Sequence, residues 1–286
     1  MLSTWGSVKQ SGCTAKPWFT DDKMELFYRK TGSGPPLIVL HGLYGSSDNW
    51  MTVAGLLSSK YSVYIPDLRN HGQSPHHPDH NYTVMCNDMG EFFDRHIRGK
   101  CILLGHSMGG KLAVTFAALH PERIAAMIVA DISPFHSPGR QDSITSFHRK
   151  VLDAMPEATN ATTTSRGVAE KLLAERIGDI KVASFLMKNL VRNQTGGFRW
   201  KLNIQALSQN LESIMDRAPV PEKANITGFP VLFVRGGDSG YLPESHFPEI
   251  EKVFPAAGFI TIGGTGHWLH AEKPGEFAKV IIDFLT

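Results

Sequence analysis

The stretch Gly105-His106-Ser107-Met108-Gly109 constrains this chain more than any other. An apolar run, Cys101-Ile102-Leu103-Leu104, leads into it, and Lys111-Leu112-Ala113-Val114-Thr115-Phe116-Ala117-Ala118, a helix-like run, leads out. Strand, tight turn with serine at its apex, then helix: in that order the G-x-S-x-G spacing has a chemical meaning. A serine hydroxyl is a weak nucleophile, so it must stand clear of the sheet and near a base. The turn that lifts it predicts a sparsely populated backbone at Ser107, at a cost of about 1–3 kcal/mol. Gly105 and Gly109 stand where side chains would crowd such a turn. The helix that follows aims free N–H groups and the positive end of its dipole at the same spot, favouring a developing anion.

A chain of 286 residues is long enough for one large α/β unit, or one with an insertion, and needs no disulfide staples. Apolar content of 42% and charged content of 20% are those of an ordinary globular protein. The net charge is +2 with the basic residues scattered, which argues against nucleic acid or an anionic membrane as a partner. Cys13, Cys86 and Cys101 lie far apart without metal-ligand spacing, so a reducing, intracellular compartment is expected, cytoplasm and mitochondrion being indistinguishable. Cys101, in its apolar run, reads as a buried small hydrophobe. No apolar run reaches the roughly 18 residues of a membrane span. Residues 1–17 lack a contiguous apolar secretory core and read as an uninvolved segment.

Along the chain, Trp18-Phe19-Thr20 and residues 24–29 read as two edge strands around an Asp21-Asp22 turn. Leu37-Ile38-Val39-Leu40 is a short apolar run suited to a strand covered on both faces, and it ends in His41-Gly42-Leu43-Tyr44-Gly45. Helix over 47–57, strand over 61–65 and helix over 83–97 precede the serine turn, and a strand over 124–130 follows it, ending at Asp131. The alternation then stops. Helices are expected over 143–155, 166–177, 182–191 and 204–216, with a break at Asn193-Gln194-Thr195-Gly196-Gly197 and a short Phe198-Arg199-Trp200-Lys201 run. The sheet pattern resumes with Val231-Leu232-Phe233-Val234 before Asp238, then a helix over 248–253, Phe259-Ile260-Thr261-Ile262, His267 and a last helix over 277–284. Strands spaced by helices imply a mainly parallel sheet with right-handed crossovers. The organisation expected is a core of 18–134 and 226–286 carrying a helical insertion, 135–225, over the carboxyl ends of the strands.

In open α/β sheets, catalytic groups gather at those carboxyl ends. They present His41-Gly42-Leu43, Asp67, Ser107, Asp131, Asp238 and His267. A neutral imidazole at His267 could take the Ser107 proton during attack and return it to the leaving group. His270, three residues on, is the rival base, and His106 should point away from its neighbour Ser107. The base needs an acid to hold its tautomer, and spacing leaves two candidates, Asp131 and Asp238. Asp67 reads as a structural carboxylate bonding Arg69 or nearby backbone N–H groups. Oxyanion donors are expected from the backbone N–H groups of Leu43 and Met108. His76-His77-Pro78-Asp79-His80 superficially suggests a metal, but Pro78 denies it helical spacing, and a solvated loop is the expectation. Phe198, Trp200 and Leu202 read as anchors of the insertion, and the glycines of 263–266 do not match a dinucleotide fingerprint.

Taken together, HGLYGSSDNW, PDLRNHGQSPHH, GHSMGGK, ADISP, WKLNIQAL, GGDSGY and GTGHWLHAEKP resemble the α/β-hydrolase superfamily over nearly the whole chain. More narrowly they resemble the YbfF-like small esterases, the branch containing the abhydrolase domain-containing protein 11 group. The resemblance implies a serine–histidine–acid esterase with its acid in the D-I-S-P segment, which favours Asp131 over Asp238. The resulting expectation is a helix-flanked, mainly parallel sheet with a helical cap. Ser107, His267 and Asp131 would cleave small esters or thioesters with short to medium acyl groups through an acyl-enzyme, with neither metal nor cofactor. Acyl transfer to an alcohol on the same groups, and a receptor or scaffold with little turnover, are the alternatives.

Overall fold

Four apolar runs bounded by polar turns form the middle of one twisted sheet. The computed structural model describes residues 23–135, 141–159, 165–193 and 197–286. The expectations for residues 1–17, for Trp18 to Asp22, for Cys13 and for Gln194 to Gly196 lie outside them.

In chain order the elements are β1 (Tyr28–Thr31), β2 (Pro36–Leu40), α1 (Met51–Leu57), β3 (Ser62–Pro66), α2 (Tyr82–His96), β4 (Cys101–His106), α3 (Met108–Leu119) and β5 (Ile124–Ala130). Then come α4 (Gln141–Glu157), α5 (Arg166–Ile177), α6 (Ile180–Leu186), β6 (Leu190–Arg192), β7 (Phe198–Trp200), α7 (Ile204–Gln209) and α8 (Leu211–Met215). The chain closes with β8 (Val231–Gly236), α9 (Phe247–Val253), β9 (Ala257–Ile262), α10 (Leu269–Glu272) and α11 (Pro274–Leu285). The main sheet runs β1-β3-β2-β4-β5-β8-β9, parallel except for β1, which pairs antiparallel with β3. All these crossovers deliver strand ends to one edge, which is why residues far apart in sequence can share a site there.

Alternation along each strand divides the core. Leu37 and Val39 of β2 join Val63, Leu104, Ile128 and Val234 beneath α1 and α11, where Trp50 and Phe277 are fully buried. Ile38 and Leu40 face the other way, with Leu103, Val129 and Phe233, against Phe93 of α2 and Leu112 and Phe116 of α3. Each such aliphatic side chain withdrawn from water contributes about 1.5–3 kcal/mol.

The segment between β5 and β8 is tied to the sheet layer by polar contacts. Lys111 Nζ, buried under α3, donates to the carbonyls of Met215 (2.8 Å) and Asp216 (2.7 Å), filling acceptors at the end of α8. Burial pushes this ammonium down to about 8. Asn203 Nδ2 donates to Asn70 Oδ1 at 3.0 Å, while within the segment itself Trp200 Nε1 donates to the Met155 carbonyl at 2.9 Å. The buried Arg69 guanidinium grips Asp88 of α2 through both carboxylate oxygens, at 2.6 and 2.7 Å, fixing the loop that carries Asn70.

Several expected elements take a different form. Residues 24–27 alternate as a strand would, with Met24 and Leu26 buried, but the ladder ends at Tyr28 opposite Pro66, and beyond it the Phe27 carbonyl accepts the Asp67 N–H at 2.8 Å. The helix expected over 182–191 stops at Leu186, because Leu190 to Arg192 pair with Phe198 to Trp200 in a hairpin. The helix expected over 204–216 breaks at Asn210, whose Nδ2 donates to the Ala206 carbonyl and to that of Pro78. The 76–80 loop is not solvated throughout: His80 is fully buried, its Nε2 3.5 Å from Met108 Sδ. Trp200 and Leu202 are buried as anchors should be.

Candidate active site

Between β4 and α3, Ser107 adopts φ 53°, ψ −120°, a conformation rarely open to an L residue. The flanking glycines explain how the turn closes. A Cβ on Gly105 would sit 2.2 Å from the Gly109 carbonyl oxygen, and one on Gly109 would sit 2.3 Å from that of Leu40. Met108 is the first residue of α3, so its N–H has no partner within the helix.

The loop after β2 is pressed onto this turn: a Cβ on Gly42 would meet His106 Nδ1 at 3.0 Å and Ser107 Cβ at 3.1 Å. That proximity puts Leu43 beside the elbow. Three contacts fix the loop: Tyr44 N–H donates to His71 Nε2 (3.2 Å), Asn189 Nδ2 donates to the Tyr44 carbonyl (2.7 Å), and Gly45 N–H donates to that of Gly42 (2.9 Å). Behind it, buried His41 accepts the Leu68 N–H on Nε2 (2.9 Å) and donates from Nδ1 to the Gly42 carbonyl. Burial holds His41 and His71 below the usual imidazole range, so they serve as neutral struts.

His267 lies in the loop after β9, and its Nδ1 is 2.8 Å from Asp131 Oδ2. Asp131 follows β5 in a left-handed turn (φ 48°) and is wholly buried. Its carboxylate also accepts the Gly236 N–H on Oδ1 at 2.9 Å and the Ser239 hydroxyl on Oδ2. A carboxylate so placed takes the proton-bearing face of the imidazole and leaves Nε2 on the opposite side of the ring. Tyr241 stacks on the same ring, centroids 3.8 Å apart.

The other candidates are elsewhere. Asp238 is exposed, and its backbone N–H donates to the Thr265 carbonyl at 2.9 Å; the hydrogen bond to His267 comes from Asp131. Asp67 accepts the backbone N–H groups of Ser47 (2.6 Å) and Gln73 (2.8 Å), while Arg69 pairs with Asp88 instead. His270 is buried flat against Trp50, rings 4.2 Å apart and 5° from parallel, and burial pushes it down to about 3. The His106 ring, expected to point away from Ser107, lies beside His267 and His270, and its Nε2–H donates to the His267 carbonyl at 2.8 Å.

Sequence reasoning assigns no role to Ser239, Tyr241, His106 or Asn189. The available signal for the first two is their place just after β8, at the same sheet edge as Asp131.

Ser107 and His267 open into one cavity of about 250 Å³. Its walls are mostly apolar: Leu43 and Trp50 from the core loops, Phe147, Val182 and Phe185 from α4 and α6, and Trp268 beside His267. Phe185 packs on Trp268 with centroids 5.1 Å apart. Among the described residues, no group of three His, Cys, Asp or Glu side chains is arranged to hold a metal ion, and no helix is long and apolar enough to cross a membrane.

A protein family described as alpha/beta hydrolase fold matches residues 35–274. The sn-1-specific diacylglycerol lipase ABHD11 of Danio rerio is 36% identical over 263 residues, spanning 89% of this chain and 79% of the relative. Esterase YbfF of Escherichia coli (strain K12) is 30% identical over 251 residues, 88% of this chain and 93% of its own. Among solved structures, a marine microorganism esterase superposes with a TM-score of 0.85 at 38% identity, covering 91% of this chain and 99% of that one.

Proposed function

This chain belongs to the alpha/beta-hydrolase family, in the group that includes ABHD11 and YbfF, and we propose that it cleaves carboxylic esters or thioesters with Ser107, His267 and Asp131. It is an ester hydrolase; the machinery, the substrate range and the acyl-enzyme are our reading.

The observation that carries this reading is one arrangement: a strained serine at a strand–helix turn shares a cavity with an imidazole whose Nδ1 is held 2.8 Å from a buried carboxylate. In the proposed cycle, Ser107 Oγ attacks the carbonyl carbon while its proton passes to His267 Nε2. The negative charge on the carbonyl oxygen is met by the N–H groups of Leu43 and Met108, each such donor supplying about 3–4 kcal/mol of transition-state stabilisation. As the bond to the leaving alcohol breaks, His267 returns the proton to that oxygen. Water, deprotonated by His267, then attacks the acyl-enzyme, and the acid leaves with Ser107 restored. Asp131 stabilises the imidazolium formed in each half. In this reading the 135–225 segment is a cap over a core of 18–134 and 226–286, and the substrate is a small molecule.

The test is hydrolysis of a p-nitrophenyl ester series by the natural chain and by Ser107→Ala. Turnover abolished by the substitution is the expected result. A folded protein with no turnover on any ester, or turnover that survives Ser107→Ala, would overturn the proposal. Product analysis with added ethanol distinguishes hydrolysis from acyl transfer.

A further inference from the structure

Ser107 opens on two spaces. Besides the cavity of about 250 Å³ there is a chamber of about 40 Å³, and both are bordered by Leu43, Ser107, His148 and Tyr241. The rest of the small chamber's wall is mostly apolar, Met108, Ile132, Ile144, Ile214 and Met215, with Tyr82 and Lys111, whose hydroxyl and ammonium are each bonded to backbone carbonyls. His267 borders the large cavity and not the small chamber.

The asymmetry has a chemical consequence that rests on the proposed cycle. In the tetrahedral intermediate the carbon carries Oγ, the oxyanion, the acyl chain and the leaving oxygen. Protonating the leaving oxygen requires His267 within hydrogen-bond reach of it, so the alcohol or thiol part extends on the His267 side, into the large cavity. The oxyanion points to Leu43 and Met108. The acyl chain is left with the remaining direction, away from His267, where the small chamber lies.

We infer that the small chamber is the acyl site and the large cavity the alcohol site, making this an enzyme for short-acyl esters of bulky, apolar alcohols or thiols. Volume sets the limits. A cavity of about 150 Å³ holds a benzene ring, and about 10–15 Å³ of such space admits one water. A 40 Å³ chamber therefore takes an acyl chain of about two or three carbons, while 250 Å³ takes an aryl or branched leaving group. Aromatic side chains along the large cavity, Trp50, Phe147, Phe185 and Trp268, suit such a group. Ile214 and Ile144, which line the small chamber from α8 and α4, are the specificity-determining residues of the acyl site.

The experiment varies one leg of the ester at a time. With a 2-naphthyl leaving group held constant, kcat/KM is expected to fall at least 10-fold from acetate or propionate to hexanoate. With acetate held constant, it is expected to change less than 3-fold, or to rise, from phenyl to 2-naphthyl. Ile214→Ala and, independently, Ile144→Ala should each move the acyl optimum longer by one to three carbons, read as at least a 10-fold rise in the ratio of kcat/KM for hexanoate to that for acetate. If neither variant folds, the natural chain's two series still decide. Hexanoate preferred over acetate by the natural chain, with bulky alcohols rejected, would reverse the assignment. Ester turnover that survives Ser107→Ala would instead sink the catalytic reading on which the inference stands.

Discussion

His106 Nε2 donates a 2.8 Å hydrogen bond to the backbone carbonyl of His267. The residue immediately before Ser107 thus grips the main chain of His267, coupling the end of β4 to the loop after β9. Burial among His267, His270 and Trp50 keeps the His106 ring well below the usual imidazole range, so it acts as a neutral donor, not as a proton shuttle.

Removing that grip should loosen the His267 loop while leaving Phe147, Val182, Phe185 and Trp268, the apolar walls across the cavity, in place. A misplacement of about 1 Å in a catalytic group can cost about 100-fold. His106→Ala is therefore expected to lower kcat by about 10- to 100-fold with KM within a few-fold, and His106→Gln, whose amide N–H reaches in the same direction, should recover part of it. Steady-state kinetics on a p-nitrophenyl ester checks this. Equal kcat in His106→Ala would show that the loop holds itself.

Asp131 and Asp238 can be separated by replacing each with asparagine. At the first position the amide would keep the side chain's shape but could not stabilise an imidazolium, and it can reverse the His267 tautomer. Loss of the acid in a serine–histidine–acid arrangement costs up to about 10⁴ in kcat. Asp131→Asn should lose about 10³- to 10⁴-fold, whereas exposed Asp238→Asn should stay within about 3-fold. The opposite ranking would move the acid to Asp238.

That ambiguity shows where sequence reading ends. The Ser107 turn is legible because its requirements are local: strand, glycine, serine, glycine and helix lie within a few residues. The acid is not, since Asp131 and Asp238 follow adjacent parallel strands and both end at the same sheet edge. What separates them is the left-handed turn at Asp131 together with donors from Gly236 and Ser239, contacts spanning more than a hundred residues. The place of His106 is hidden for the same reason, its partner being 161 residues away. The hairpin at Leu190 to Arg192 escapes because three-residue strands leave too little alternation to outweigh a helical run beside them.

The buried histidines set an acid limit on stability. His80 and His270, both buried, are pushed down to about 3, against 6.5 for an exposed imidazole. Between those values the unfolded chain binds protons that the folded chain refuses, so stability is present above pH 6.5 and is lost as the pH falls. Each group contributes a slope of up to about 1.4 kcal/mol per pH unit in that window. Urea midpoints measured from pH 7.5 to 4.5 should decline steadily below about 6.5, and His270→Gln should flatten the decline even if it lowers stability at pH 7.5. A flat profile to pH 5 would show that these rings accept protons in the folded state.

Two glycines on helical segments provide opposite expectations from one substitution. Gly55 lies exposed in α1 with open space around its would-be Cβ, so Gly55→Ala should gain about 0.5–1 kcal/mol from helix propensity. Gly109, in the first turn of α3, faces the Leu40 and His41 carbonyl oxygens, which a Cβ would approach to 2.3 and 2.6 Å. Backbone on both sides cannot swing aside as a side chain would, so α3 must retreat from the end of β2. Overpacking of this kind costs about 1–3 kcal/mol or more. The retreat also separates the N–H of Met108 from that of Leu43, so Gly109→Ala should lose activity out of proportion to stability, by at least 100-fold in kcat at a temperature where it remains folded. Thermal unfolding and ester kinetics on the two variants check both signs. An active, stable Gly109→Ala protein would show that the spacing between the elbow and the β2 loop is not what tunes the site.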